Sequence, residues 1–123
     1  MKTLELFEKY PKAAEIVLTH YRDTFLKSIE ESDAPEEFKE YARQQQVDEG
    51  AVAEIIENNA RGTFDIFDEN GIYIQIGVYP DKTFNCTINE LGTTSFFATR
   101  KEAEAYAVEA AFEILNEKLC QTK

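Results

Sequence analysis

The chain has 123 residues, 43% of them hydrophobic, and its 13 basic against 24 acidic side chains give a formal net charge of −11. That size fits one domain able to bury about two-thirds of its unfolded surface, and nine Phe with six Tyr supply the apolar area that disordered chains lack. No apolar run approaches the ~20 residues that cross a bilayer, glutamates interrupt any signal-peptide stretch in MKTLELFEKYPKAAE, and the acidic excess repels phosphate backbones, which together point to a cytoplasmic protein that binds neither membrane nor nucleic acid.

Residues 2–61 read as four helices. A short first helix, around Lys2 to Lys9, precedes Pro11, whose fixed φ and missing N–H suit the first turn of the next helix. In that second helix Ala14, Val17, Leu18, Tyr21, Phe25 and Ile29 recur at spacings of three and four, an apolar stripe that must pack against something. Ser32 to Pro35 breaks it, and Pro35 opens a short third helix bearing Phe38, Tyr41 and Ala42. Asp48 is a good N-cap for a fourth, with Val47 and Val52 placed as a hydrophobic staple and Val52, Ile55 and Ile56 facing inward. That helix ends near Asn59, with Gly62 as a left-handed residue after it.

The period then changes to two. Phe64 and Ile66 predict a first strand that ends in a tight Asn70-Gly71 hairpin turn. The next strand sets Ile72, Ile74, Ile76 and Val78 on one face and Tyr73, Gln75, Gly77 and Tyr79 on the other. After a turn at Pro80 to Lys82, Phe84, Cys86 and Ile88 alternate with Asn85, Thr87 and Asn89. Glu90 to Gly92 turn the chain again, and Thr94 to Ala98 form a last strand or an extended entry to the final helix. Thr99 and Glu102 make a capping box for that helix, which carries Ala103, Ala107, Ala110, Ala111 and Ile114 on one stripe. The order predicts an α+β fold: N-terminal helices, a three- or four-stranded antiparallel meander, and a long C-terminal helix packed on the sheet. All 123 residues read as a single domain, 1–61 the helical part and 62–123 the βββα part.

Few patterns carry chemistry. Cys86 and Cys120 have no metal-ligand spacing and read as reduced thiols. His20, the single histidine, stands mid-helix with no serine or cysteine nucleophile close in sequence. Asp65, Asp68, Glu69 and Asn70 crowd oxygen atoms, yet Gly77 stands where a calcium loop needs its last glutamate, so turn-forming residues explain the run. No phosphate-binding glycine loop occurs, and the Asn85-Cys86-Thr87 sequon has no role without secretion. No catalytic residue, cofactor or metal is expected.

The β-β-β-α order together with Thr99-Arg100-Lys101-Glu102-Ala103-Glu104-Ala105 resembles the last part of a double-stranded-RNA-binding domain. That family opens its last helix with a Lys-Lys-x-Ala-Lys pattern whose lysines meet phosphates. Arg100 and Lys101 match the first two basic positions, whereas Glu104 stands at the third and Glu109, Glu113 and Glu117 follow. The resemblance implies topology and not RNA binding. The Arg-x-Glu-Ala form of the final helix, and the stretch Phe64-Asp65-Ile66-Phe67-Asp68-Glu69-Asn70-Gly71, are similar to features of small accessory proteins of bacterial phages and mobile elements. That similarity implies an accessory or counter-defence role.

Two surfaces are candidate sites. Glu36, Glu37 and Glu40, within the acidic run that starts at Glu30, can meet the basic grooves that nucleic-acid enzymes keep for phosphate, or can simply be a solvated helix junction. Tyr73, Gln75 and Tyr79, beside Asn85, Thr87 and Asn89, form the outer sheet face: either an aromatic and amide recognition surface, or a face covered by the N-terminal helices, whose stripes also need a partner. The expected function is a non-enzymatic acidic protein-interaction module, an inhibitor or accessory factor acting on a basic protein surface. A nucleic-acid-binding module on the βββα half and a small metal-dependent enzyme are the alternatives, and a homodimer is compatible with the sequence.

Overall fold

The computed structural model describes residues 2–45, 48–89 and 91–121. The chain runs through α1 (Thr3–Lys9), α2 (Pro11–Glu30), α3 (Glu36–Gln44), α4 (Glu49–Asn58), a 3-10 turn (Ala60–Thr63), α5 (Phe64–Glu69), β1 (Ile74–Val78), β2 (Phe84–Ile88), β3 (Gly92–Phe97) and α6 (Arg100–Gln121). This is the α+β architecture that the sequence predicts.

Each helix start has a physical cause. Asp48 caps α4, its carboxylate accepting from the amides of Gly50 (2.9 Å) and Ala51 (3.3 Å). Pro11 begins α2, whose orphan amides at Lys12 and Ala13 donate to Asn116 Oδ1 of α6 at 2.9 and 3.2 Å, a cap supplied from the far end of the chain. Glu57 Oε1 likewise accepts from the amide of Thr3 at 3.0 Å. At α6 the Thr99 hydroxyl accepts from the Glu102 amide at 3.1 Å while Glu102 reaches back to the amide of Ala98 at 3.2 Å. The Val47 member of the predicted staple and the Glu90 of the predicted turn lie outside the described residues.

The first predicted strand is not one. Phe64 to Glu69 form α5, continuing from the 3-10 turn, and Asn70-Gly71 closes that helix instead of a hairpin. Gly71 adopts φ +81°, its amide donates to Asp68 O (3.0 Å), and the Ile72 amide donates to Phe67 O (2.9 Å), the paired bonds of a Schellman motif. Phe67 and Ile72, both fully buried, supply the hydrophobic contact that accompanies it. Phe64 and Ile66 alternate with period two, but Phe64 and Phe67 also stand three apart, and burial of Phe67 selects the helix. Gly62 is likewise corrected: it sits inside the 3-10 turn without a positive φ. Gly71→Val should destabilise the chain by about 1–2 kcal/mol, because a β-branched residue is forced into the left-handed region. An unchanged urea midpoint would contradict that role for Gly71.

The sheet has the order β1-β2-β3, antiparallel throughout, with Ile74 opposite Ile88 and Ile76 opposite Cys86. The register of β3 slips between Phe84 and Cys86, so that Ser95 and Phe96 together oppose Asn85, a β-bulge that puts Phe96 at φ +71°. Against the inner face lies α6, buried where it meets the sheet and the other helices, including the consecutive Ala110, Ala111 and Phe112, and open to solvent along Glu102, Glu109, Glu113 and Glu117. It is a middle layer with one solvent-facing stripe. One side meets the sheet and another meets α2, with α1 and α4 packed on α2. Leu6, Phe7, Val17, Ile56, Phe67, Ile88 and Phe112 therefore belong to one core drawn from both halves of the sequence.

Three apolar positions that the periodicity assigns to the interior lie outside it. The α2 stripe is buried at Ala14 and Val17 and emerges by Phe25. Ile55 of α4 is exposed while Val52 and Ile56 are buried. Val78, at the end of β1, is also exposed.

Candidate functional site

The α3 segment is nine residues long and carries five charges, so it has too little apolar area to cover its neighbours. Of its apolar residues only Ala42 is buried; Phe38 and Tyr41 stand 50% and 62% exposed. They face a groove floored by Leu26 and Val52 and continued by Phe25 of α2 (54% exposed) and Ile55 of α4 (49% exposed). The depression holds about 390 Å³, and Arg22, Gln45 and Asp48 are the principal polar groups along it. The Asp48 carboxylate is already engaged by the first amides of α4.

Glu36, Glu37 and Glu40 all lie exposed on α3, but they are not equivalent. Arg43 grips both carboxylate oxygens of Glu30, at the end of α2, through Nε and Nη2, and donates from Nη1 to Glu36 Oε1 at 3.2 Å. This fork pins α3 across α2, holds the Glu30 carboxyl below the usual carboxylate range and pushes the guanidinium further up. Glu37 stands one turn before Tyr41 and flanks it at the groove's edge, whereas Glu40 shares the face of Glu36 and Arg43, one turn from each, and points away from the groove. Glu54 of α4 is exposed one turn after the lining residue Ala51. Residues 20–58, which include the groove's three walls, contain 4 basic and 11 acidic side chains.

The Arg43 fork has a pH consequence. Glu30 binds fewer protons in the folded state than in the unfolded one, so its contribution is complete above the ordinary carboxylate range and is lost as pH falls through the lowered value. Acidification from about pH 6 to about pH 3 should loosen α3 from α2 while the core stays folded. Amide hydrogen exchange should accelerate in α3 and not in α6; equal changes in both would contradict the assignment.

Tyr73, Gln75 and Tyr79 are on the outer face of the sheet, remote from α3, which packs on α2. The N-terminal helices pack about α6 and α2 and leave this face open, with Tyr73 and Gln75 exposed. Tyr79 Oη lies 2.8 Å from Ser95 Oγ, and Thr87 and Thr93 hydroxyls lie 2.9 Å apart, so much of the face's hydrogen bonding is internal. Gly77 makes room for Asn85, whose amide would meet a Cβ there at 2.8 Å. Phe96, 78% exposed, is turned onto the same face by the bulge, with its ring centroid 6.2 Å from that of Tyr79. None of these residues is charged.

The remaining candidates separate. Asp65, Asp68 and Glu69 lie along α5, and among the described residues no group of three or more His, Cys, Asp or Glu side chains is placed to hold a metal ion. Cys86 is buried in β2, where burial pushes its thiol up to about 11, and Cys120 is exposed on α6. His20 is half-buried with its ring edge-on to Tyr21. At the start of α6, Arg100 lies over the ring of Phe84, and Glu104, at the position where a third basic residue would meet phosphate, pairs with Arg61 at 3.0 Å. Binding to duplex RNA or DNA at physiological salt should therefore be no tighter than about 10⁻⁴ M, the weak non-specific range. A gel shift at sub-micromolar protein would contradict this.

The periodicity hides the groove because it assigns Phe25 and Ile55 to core-facing helical stripes and reads Phe38 and Tyr41 only as residues of a short third helix. The signal for it was the brevity and polarity of α3, which cannot bury its own aromatics and those of two neighbours. No family model, no curated protein and no solved structure matches the chain.

Proposed function

We propose that this chain is a non-enzymatic protein-interaction module that binds a basic surface of another protein through its acidic helical half. The observation that supports this most is the convergence of four large, exposed apolar side chains, from three helices, in one groove. Monomeric proteins rarely expose contiguous apolar patches beyond a few hundred Å², and patches rimmed by polar residues are characteristic of interaction sites. Apolar anchors give affinity, and the acids around them select a cationic partner and speed its approach. A protein whose surface is built to hold phosphate is a fitting class of partner, and blocking such a surface is the accessory or counter-defence role that the sequence resemblance implies.

The test is capture from a host lysate on the immobilised chain, run beside a Tyr41→Ser/Ile55→Ser variant and repeated in high salt. A basic protein retained by the wild type, and lost from the variant and in salt, is the expected result. Retention of the same set by both chains, or of nucleic acid alone, would overturn the proposal. The strained, exposed Phe96 favours a second reading, in which the uncharged outer sheet face is the recognition surface. Tyr73→Ala and Tyr79→Ala in the same capture distinguish the two.

A further inference from the structure

We infer that the groove between α2, α3 and α4 takes one cationic amphipathic helix of the partner protein, an inference that rests on the interaction-module reading above. The walls decide the form of the occupant. All three are helices, whose backbone amides and carbonyls are bonded within each helix over its interior turns, and among the described residues no strand borders the groove. An extended peptide laid there would find no ladder for its own backbone groups, whereas a helix arrives with those groups satisfied. The occupant's side chains then need only apolar contact, and the floor offers it through Phe25, Leu26, Phe38, Tyr41, Val52 and Ile55. Residues at i, i+3 or i+4, and i+7 of a single helix reach such a groove as a stripe.

Charge complementarity fixes the other face. Glu37, one turn before Tyr41 on α3, and Glu54, one turn after the lining residue Ala51 on α4, are both exposed, so an acid flanks the groove on each of these two helices. Glu30 and Glu36 are spent on Arg43 and do not contribute equally. A helix with an apolar stripe flanked by Lys or Arg meets both conditions, and one flanked by Glu or Asp would meet like charge on each side.

The test uses the full chain and a designed probe: a roughly 20-residue Leu/Lys peptide with apolar residues at helical spacing and one Trp. The chain contains no Trp, so selectively excited tryptophan emission reports the peptide alone. Saturable binding with a blue shift and a gain of helical circular dichroism is expected. Tyr41→Ala and Ile55→Ala should each weaken it roughly tenfold, as anchors in an interface do. Both positions are exposed, and an unchanged urea midpoint confirms that each variant folds. Equal binding of a peptide with the same composition but scrambled periodicity would overturn the helix-in-groove inference and leave the acidic-module reading intact. Equal binding of a Leu/Glu peptide would overturn the cationic requirement. Absence of binding by every peptide would overturn the inference, while the lysate capture would still decide the module reading separately.

Discussion

Phe112→Ala should destabilise the chain by about 3–5 kcal/mol, out of the roughly 5–15 kcal/mol that holds an ordinary domain together. Phe112 is fully buried at the centre of α6, and its ring touches Phe7 of α1 at 5.9 Å and meets Phe67 of α5 nearly edge-on at 5.5 Å. One side chain thus joins the first helix, the helix that leads into the sheet, and the helix between the layers. Truncation removes its apolar area from the core and leaves a cavity whose walls cannot close, because Ala107 and Ala111 of α6 are fully buried and offer no side chain that could swing in. The urea midpoint should fall with little change in slope, and near-ultraviolet signals from both halves should be lost together. A loss below about 1 kcal/mol would mean that the helical and sheet halves do not share this core.

What the sequence disclosed follows the strength of its periodicities. The first turns of the α2 stripe, at Ala14 and Val17, the cap at Asp48, the capping box at Thr99 and Glu102, and the alternation through Ile74, Ile76, Phe84, Cys86 and Ile88 all fall where they are expected, because each is a repeated or locally bonded signal. The Phe64 to Gly71 segment fails for a physical reason: two alternating apolar residues cannot choose between periods of two and 3.6, and Asn-Gly serves a helix terminus as well as a hairpin. The β-bulge at Phe96 has no sequence signal, since the residue that enters the left-handed region is an aromatic and not glycine. Among the candidate site residues, the acids of α3 were legible as an acidic run, whereas the engagement of Glu36 by Arg43 and the place of Glu37 beside Tyr41 depend on which way a nine-residue helix is rotated. Tyr73, Gln75 and Tyr79 were legible as one face, and whether that face is open depends on long-range packing: α2 goes to α6 and not to the sheet.

Reversing two exposed acids of α3 should slow association with the captured partner by roughly tenfold or more, within the span attributed to electrostatic steering, and should change dissociation much less. Glu37→Lys with Glu40→Lys moves the formal charge from −11 to −7, two units for each reversal, at exposed positions outside the Arg43 fork. Glu36→Lys gives a different outcome, because Glu36 shares Arg43 with Glu30; it should also loosen α3 and so raise the dissociation rate. Tyr41→Ala removes an anchor that acts only after docking, so it should speed dissociation and leave association nearly unchanged. Salt should reproduce the charge-reversal variant and not the groove variant, because the screening length falls from about 10 Å at 0.1 M to about 3 Å at 1 M. Surface-plasmon kinetics over a salt series would read both rates. A salt-independent association rate would reject electrostatic capture by α3, and the uncharged sheet face, tested through Tyr73→Ala and Tyr79→Ala, would then be the surface that meets the partner.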